Sequence, residues 1–336
     1  MLLNKSDLQE ALRLLSTDNG AVVYVPGEIS GVSRFVPWDG GVDSESCVAC
    51  LAGGNTALPP KDILFPATEK MYAFTTGPDA AITEFSENTK QVVFGIRPCD
   101  MASVERMDKV FLDGEFVDSF YTRKRENTTF IALACGEPAR TCFCDSMGLG
   151  PGEAQAADVL LTDAGEAWFV ADQTEKGKAV TGLWQKLLKK GQKPAEKVAC
   201  ALKTKMSDKL AEKLAKMFEH PIWDEAGKAC IGCATCTYIC PTCYCFDINM
   251  ENYGASGTAF RCWDSCMFSD YTRMAGGHNP RPTKKERVRN RYMHKLSYFN
   301  ERCGVSLCVG CGRCVDKCPA RLDITEFIDE AAEVAL

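Results

Sequence analysis

No apolar run in this sequence approaches the ~18 residues that a membrane-spanning helix requires, so no insertion into a bilayer is expected. The N-terminus also lacks the pattern of a secretory leader. MLLNKSDLQEALRLL reads instead as an amphipathic helix, with Leu8, Leu12 and Leu15 on one stripe, and the expected compartment is the cytoplasm. Phosphate-cradling loops are missing too. No GxGxxG sits between a strand and a helix and there is no Walker loop, so no nucleotide site is expected on this chain.

Cysteine, by contrast, is abundant: twenty in 336 residues. Without export these are reduced thiols, for which metal is a better use than disulfide. Eight of them form two runs near the C-terminus, Cys230-x-x-Cys233-x-x-Cys236-x-x-x-Cys240-Pro241 and Cys308-x-x-Cys311-x-x-Cys314-x-x-x-Cys318-Pro319. Three thiolates spaced by two residues wrap one face of a cubane, while the Cys before Pro ligates the other cluster of the pair. Cys230, Cys233, Cys236 and Cys318 are therefore expected to hold one [4Fe-4S] cluster, and Cys308, Cys311, Cys314 and Cys240 a second. Zinc ribbons also use Cys-x-x-Cys pairs, but they give no reason for a third spaced Cys plus Cys-Pro, twice over. Gly232, Gly310 and Gly312 suit loops whose backbone approaches a cluster and takes positive φ.

Charge is unevenly spread. Residues 1–120 carry 9 Lys/Arg against 18 Asp/Glu, and residues 261–320 carry 12 against 5. The basic stretch flanks sites whose thiolate and sulfide shell is itself anionic. Counter-charge, or docking to an acidic partner, explains it better than nucleic acid, which is not expected as a partner.

Along the chain, AVVYVPGEI reads as a strand and GVSRFVPWDGGVDSES as a loop leading into Cys47-x-x-Cys50, two thiols too few for a site. Gln91–Ile96 and the run starting at Thr128 are continuous apolar strands with a helix, Met101–Phe111, between them. They form a β-α-β unit whose strands end at Arg97-Pro98-Cys99-Asp100 and Cys135. Cys142 and Cys144 follow. Four thiols at one sheet edge, Cys99, Cys135, Cys142 and Cys144, suggest a third [4Fe-4S] cluster, with Arg97 and Arg140 offsetting its charge. A hairpin over 159–171 and two Lys/Ala-rich helices, about 176–190 and 196–218, complete this part.

Between Cys240 and Cys308 lie 67 residues, more than a minimal ferredoxin has, so the module carries an insertion. The insertion holds Cys243, Cys245, Cys262 and Cys266, His278, and a helix over about 284–299 with Arg287, Arg291, His294 and Lys295 on neighbouring positions. The expected architecture is an α/β domain, residues 1–220, and a C-terminal two-cluster bacterial-ferredoxin-like α+β domain, residues 221–336. The latter carries a mostly helical insertion at about 246–302.

Arg97-Pro-Cys99-Asp100, Cys135-x6-Cys142-Phe-Cys144, Cys230-Ile-Gly-Cys233, Cys240-Pro-Thr-Cys243, Ala275-Gly-Gly-His278 and Cys308-Val-Gly-Cys311-Gly-Arg-Cys314 occur in this order. Together they resemble the family of sulfhydrogenase beta subunits, which also holds the iron–sulfur subunit of anaerobic sulfite reductase. The family has a further relative in the flavin oxidoreductase set of heterodisulfide reductase. The resemblance runs from about Phe65 to Ile324. It implies an electron-transfer subunit lying between a flavoprotein partner that binds FAD and NAD(P)H and a catalytic redox subunit. The residues agree, because a chain of clusters with no hydride acceptor needs a flavin from a neighbour. The alternative is a catalytic reductase acting at a non-standard cluster built from Cys243, Cys245, Cys262 and Cys266 with His278.

Overall fold

Two sheets organise the chain. The computed structural model describes residues 1–40, 54–86, 88–195 and 198–335; Cys47 and Cys50 lie outside the described residues. In chain order the strands are β1 (Leu2–Asn4), β2 (Val22–Ile29), β3 (Val32–Pro37), β4 (Thr68–Thr75), β5 (Ala81–Glu84), β6 (Gln91–Ile96), β7 (Thr128–Leu133), β8 (Val159–Asp163), β9 (Ala167–Asp172), β10 (Phe246–Tyr253) and β11 (Ser256–Trp263). The longer helices are α1 (Leu8–Arg13), α2 (Pro98–Phe111), α3 (Ser119–Asn127), α4 (Glu175–Leu183), α5 (Asp208–Lys216), α6 (Ile222–Ala229), α7 (Lys284–Met293) and α8 (Ile324–Glu333). Among the described residues no helix is long and apolar enough to cross a membrane.

The larger sheet has the order β1-β9-β8-β7-β6-β2-β3, with β2, β6, β7 and β8 parallel and the outer pairs antiparallel. Its central strands are buried on both faces, which is why they read as unbroken apolar runs. Val92, Phe94, Ile131 and Leu133 pack with Trp168 and Trp184 on one side. Val93, Ile96, Phe130 and Ala132 pack with Met101, Met107 and Phe111 of α2 on the other. Gly95, at φ +83°, makes the bulge that lets Phe94 and Ile96 face opposite sides. That bulge stands directly before Arg97 and turns the strand end toward the site. Pro98 opens α2 at its first turn, where its missing N–H costs nothing.

Four expected elements differ. Leu2–Asn4, read as the start of the first helix, form β1 paired with β9. Residues 32–37, read as loop, form β3, because Ser30 and Gly31 both take positive φ and close a two-residue hairpin onto β2. Of the stretch 196–218, the last part is α5, started by Ser207, whose side chain accepts from Leu210 N–H. Lysine and alanine content sets no helix start; the cap does. The insertion is helical only in its second half. Its first half is the β10–β11 hairpin, which pairs with β4 in a second sheet of order β10-β11-β4-β5. Residues 246–263 thus share a sheet with residues 68–84, one hairpin from each half of the sequence joined at β11 and β4. In the helical part, Phe327 of α8 packs on Trp223 of α6 and Tyr292 of α7, with ring centroids 4.8 and 4.7 Å away.

Candidate metal centre

Cys230, Cys233, Cys236 and Cys318 line a single cavity, which Cys314 and Arg291 also reach. Cys318 comes from the far end of the second run, as crossed ligation requires. Arg291 Nε and Nη2 are buried there without a hydrogen-bond partner. A buried cation with unused donors beside thiols suits an anionic, sulfur-rich group, so the residues fit a [4Fe-4S] cluster. Among the described residues no three His, Cys, Asp or Glu side chains gather as ligands of one ion. Each cubane ligand holds a different iron, so such ligands need not gather at one point as zinc ligands do.

The second group forms around Lys295. Its Nζ is 3.2 Å from Cys240 Sγ and 3.0 Å from Thr242 Oγ1, in a buried setting. Burial acts against this ammonium, yet Cys240 and Cys243 outweigh it and hold its pKa above the usual lysine value. Cys308 lies within electrostatic reach of Lys295, Cys314 and Cys240, and burial pushes its thiol up to about 11. Burial likewise raises Cys311, which feels Cys240 and Cys314.

At the carboxyl ends of β6 and β7 a third group of thiols meets, and it has five members. Cys99 lies in the first turn of α2, Cys135 follows β7, and Cys142 and Cys144 lie on the next loop. The fifth is Cys200, which the sequence reading missed: its Sγ is 3.5 Å from Cys144 Sγ. Asp145 draws it in by accepting from Cys200 N–H at 2.9 Å and from Lys203. The only sequence signal was a cysteine, normally a buried residue, inside a lysine-rich stretch. Burial raises the Cys142 thiol to about 11 and raises Cys144 further, with Cys200 adding to both. Cys135 and Cys200 act on both of these thiols, whereas the Cys99 thiol is influenced by Cys311 and Cys135. Arg97 hydrogen-bonds Cys135 and opposes the rise that burial causes. Arg140, its expected companion, points outward to Asp316.

The second and third groups adjoin. Cys142 Sγ is 3.7 Å from Cys311 O, and the Asn55 amide reaches both Cys142 Sγ (3.7 Å) and Cys311 O (3.0 Å). Phe143 N–H donates to Gly310 O at 2.8 Å. A Cβ on Gly310 would stand 2.6 Å from Cys144 Cα, and one on Gly312 would stand 2.3 Å from Thr141 O; both glycines have positive φ. These glycines therefore serve close approach between the two thiol-bearing loops, as well as the turn itself. Behind them Arg313 is buried against Asp100.

The remaining insertion cysteines do not form one four-thiol set. Cys243 is hydrogen-bonded to Cys240, Cys245 to Cys266, and Cys262 lies 3.4 Å from Asn249 Nδ2. His278 is exposed on its loop, and His294 is hydrogen-bonded to the Tyr244 hydroxyl at 2.8 Å.

Comparison with known proteins agrees with this geometry. Residues 229–322 match the 4Fe-4S dicluster domain family. Sulfhydrogenase 2 subunit beta of Pyrococcus furiosus is 32% identical over 290 residues, covering 83% of this chain and 84% of that protein. No solved structure matches. The chain is an iron–sulfur electron-transfer subunit, and it belongs to the family of sulfhydrogenase beta subunits.

Proposed function

We propose that this chain relays single electrons between a flavoprotein subunit binding FAD and NAD(P)H and a catalytic redox subunit of the sulfite reductase, hydrogenase or heterodisulfide reductase type. One cluster is assigned to Cys230, Cys233, Cys236 and Cys318, and a second to Cys308, Cys311, Cys314 and Cys240. A third is assigned to Cys135, Cys142 and Cys144, with a fourth thiolate for which the contacts favour Cys200 where the sequence alone favours Cys99.

The observation that carries the reading is the contact between successive thiol groups. Cys142 Sγ lies 3.7 Å from Cys311 O, and Cys314 lines the cavity of Cys230, Cys233, Cys236 and Cys318. Electrons cross short gaps of packed protein far faster than long ones, so sites that share walls make a route. When bound, a [4Fe-4S] cluster exchanges one electron at a time, and a flavin splits a hydride pair into single electrons. This chain's own residues hold and shield the route. Arg291, Lys295, Arg97 and Arg313 are buried cations placed against thiols, where they offset negative charge in a low dielectric. Of the basic stretch 261–320, the exposed cations, Arg273, Lys284, Arg302 and Lys317, are the ones left to meet an acidic partner.

The test uses the purified, iron-loaded, flavin-free chain with a dye acceptor. It is expected to leave NADH and NADPH unoxidised until the flavoprotein partner is added, and salt should weaken the restored activity. Turnover of either nucleotide by the chain alone would overturn the assignment.

A further inference from the structure

The route proposed above leaves Cys245 and Cys266 unused, although the fold sets them side by side. Phe246 pairs with Trp263 at the open end of the β10–β11 hairpin, and Asp264 N–H donates to Cys245 O at 2.9 Å, extending the ladder by one residue. The turn that follows is pinned by Ser265. Its hydroxyl accepts from Met267 N–H at 3.1 Å and lies 2.8 Å from Thr237 Oγ1, both hydroxyls being buried. This brings Cys266 back against Cys245. The Cys266 thiol and the Tyr271 hydroxyl both hydrogen-bond to Cys245. Cys266 is buried and Cys245 half-buried, in the apolar cluster that also contains Cys236.

Two thiols are too few for a cubane, and neither Cys243 nor Cys262 joins them. Two thiols in hydrogen-bond contact are, however, the arrangement from which a disulfide forms. We propose that Cys245 and Cys266 are a redox-active dithiol that closes to an intramolecular disulfide, a two-electron centre beside the cavity of Cys230, Cys233, Cys236 and Cys318. Closing forms one S–S bond between the Cys245 thiolate and the Cys266 thiol and breaks the Cys266 S–H bond. One proton goes to water and two electrons leave singly to iron–sulfur clusters, the one-electron acceptors of the proposed relay, on which this inference rests; opening is the reverse. The pair therefore converts two single-electron steps into one two-electron reserve. The chemistry of Cys245 suits this role. Hydrogen bonding from Cys266, opposed by burial and aided by Tyr271 and Lys295, lowers its thiol to about 6, so the reactive thiolate is present at neutral pH. Reducing compartments keep disulfides only where they are transient and catalytic or redox-sensing, which is the use proposed.

The experiment reads the linkage directly. The full, anaerobically prepared, iron-loaded chain is poised with a chemical oxidant or reductant, free thiols are blocked by alkylation, and the chain is cut with trypsin. Cleavage after Lys228, Arg261 and Arg273 places Cys245 on peptide 229–261 and Cys266 on peptide 262–273. On oxidation the two peptides should appear as one linked species joined through Cys245 and Cys266, and on reduction they should separate. The titration should follow a two-electron slope with iron content unchanged. Cys245→Ser and Cys266→Ser should each abolish the link and keep the iron. Peptides that stay unlinked at every potential would overturn the proposal, and so would loss of about four irons in either variant, which would make these residues ligands. The link is scored whether or not iron is present, so absence of iron from the wild type would sink the cluster assignment separately.

Discussion

Arg313 and Asp100 meet as a buried bidentate ion pair, Nη1 2.6 Å from Oδ1 and Nη2 2.7 Å from Oδ2. The pair joins the helix start after β6 to the loop carrying Cys311 and Cys314, two segments more than two hundred residues apart in the chain. Arg313 Nε also donates to Thr56 O at 2.7 Å, so every side of the guanidinium is engaged. Removing one partner leaves the other charge buried and unpaired, at a cost of ~3–5 kcal/mol. Arg313→Met should therefore lower the unfolding midpoint of the loaded chain sharply. Arg313→Met with Asp100→Leu should recover much of that loss. Arg313→Lys should not recover it, since an ammonium cannot make the two parallel bonds. A double variant that loses as much as the two single variants added together would show that the pair contributes no coupling.

Crossed ligation makes a distinct prediction for the two Cys-Pro cysteines. Cys240→Ala should damage the same spectroscopic signal as Cys308→Ala, and Cys318→Ala the same signal as Cys230→Ala. Lys295 beside Cys240, together with Cys308 beside both, places Cys240 with the second run. Electron paramagnetic resonance of the reduced variants separates the cases. Loss of the Cys230 signal in Cys240→Ala would mean that each run closes its own site.

For the third site, iron analysis of the anaerobic chain should give about twelve irons with three cubanes and about eight with two. Replacing Cys142 and Cys144 together by Ser should remove about four irons and leave the ferredoxin signals in place. Cys200→Ser should match that loss, whereas Cys99→Ser should keep the iron, because Cys200 Sγ contacts Cys144 Sγ while the Cys99 thiol is held by the Asn55 amide oxygen at 3.5 Å. Retention of full iron by the Cys142/Cys144 variant would reduce all five thiols to core residues. The reverse result at positions 99 and 200 would restore the assignment that the sequence alone favours.

How far these sites were legible depends on the range of the interaction that builds each. The Cys runs and the β6-α2-β7 unit follow local rules of spacing and periodicity, so their outlines are readable residue by residue. Cys200 is not, because a single carboxylate, Asp145, pulls it across from a lysine-rich stretch that has no pattern of its own. The β10–β11 hairpin was hidden for a similar reason. Its partner strand, β4, lies far upstream, and pairing between strands so distant in the chain leaves little trace in either segment. Gly310 and Gly312 were flagged as permissive positions, but the loop they make room for could be identified only once Thr141 and Cys144 were seen against them.

Arg291 and Lys295 should tune the two ferredoxin sites separately. Each is a buried cation, Arg291 at the cavity of Cys230, Cys233, Cys236 and Cys318, and Lys295 at Cys240. Adding an electron makes a site more negative, so a nearby cation favours the reduced form. Arg291→Met should lower the potential of the first site and Lys295→Met that of the second. Loss of one charge-assisted hydrogen bond corresponds to a shift on the order of 100 mV. Potentiometric titration followed by electron paramagnetic resonance reads both sites in one sample. A positive shift, or a shift at the other site, would contradict the placement.

His294 provides a pH signature of the folded insertion. Burial first, and then Lys295, Arg302 and Arg281, lower its pKa to about 4, and its ring nitrogen lies 2.8 Å from the Tyr244 hydroxyl. Unfolded, the ring would titrate near ~6.5. Above that pH both states are neutral and the stability is fully present. As pH falls from about 6.5 toward about 4, only the unfolded chain takes up the proton, so stability drops, by up to ~3 kcal/mol in total; below about 4 the effect levels off. His294→Gln removes the titrating group while keeping a partner for Tyr244. The difference in unfolding free energy between wild type and variant should therefore shrink or reverse across that window. Parallel curves for the two proteins would show that the imidazole gains its proton as readily in the fold as outside it, and the buried neutral ring would have to be abandoned.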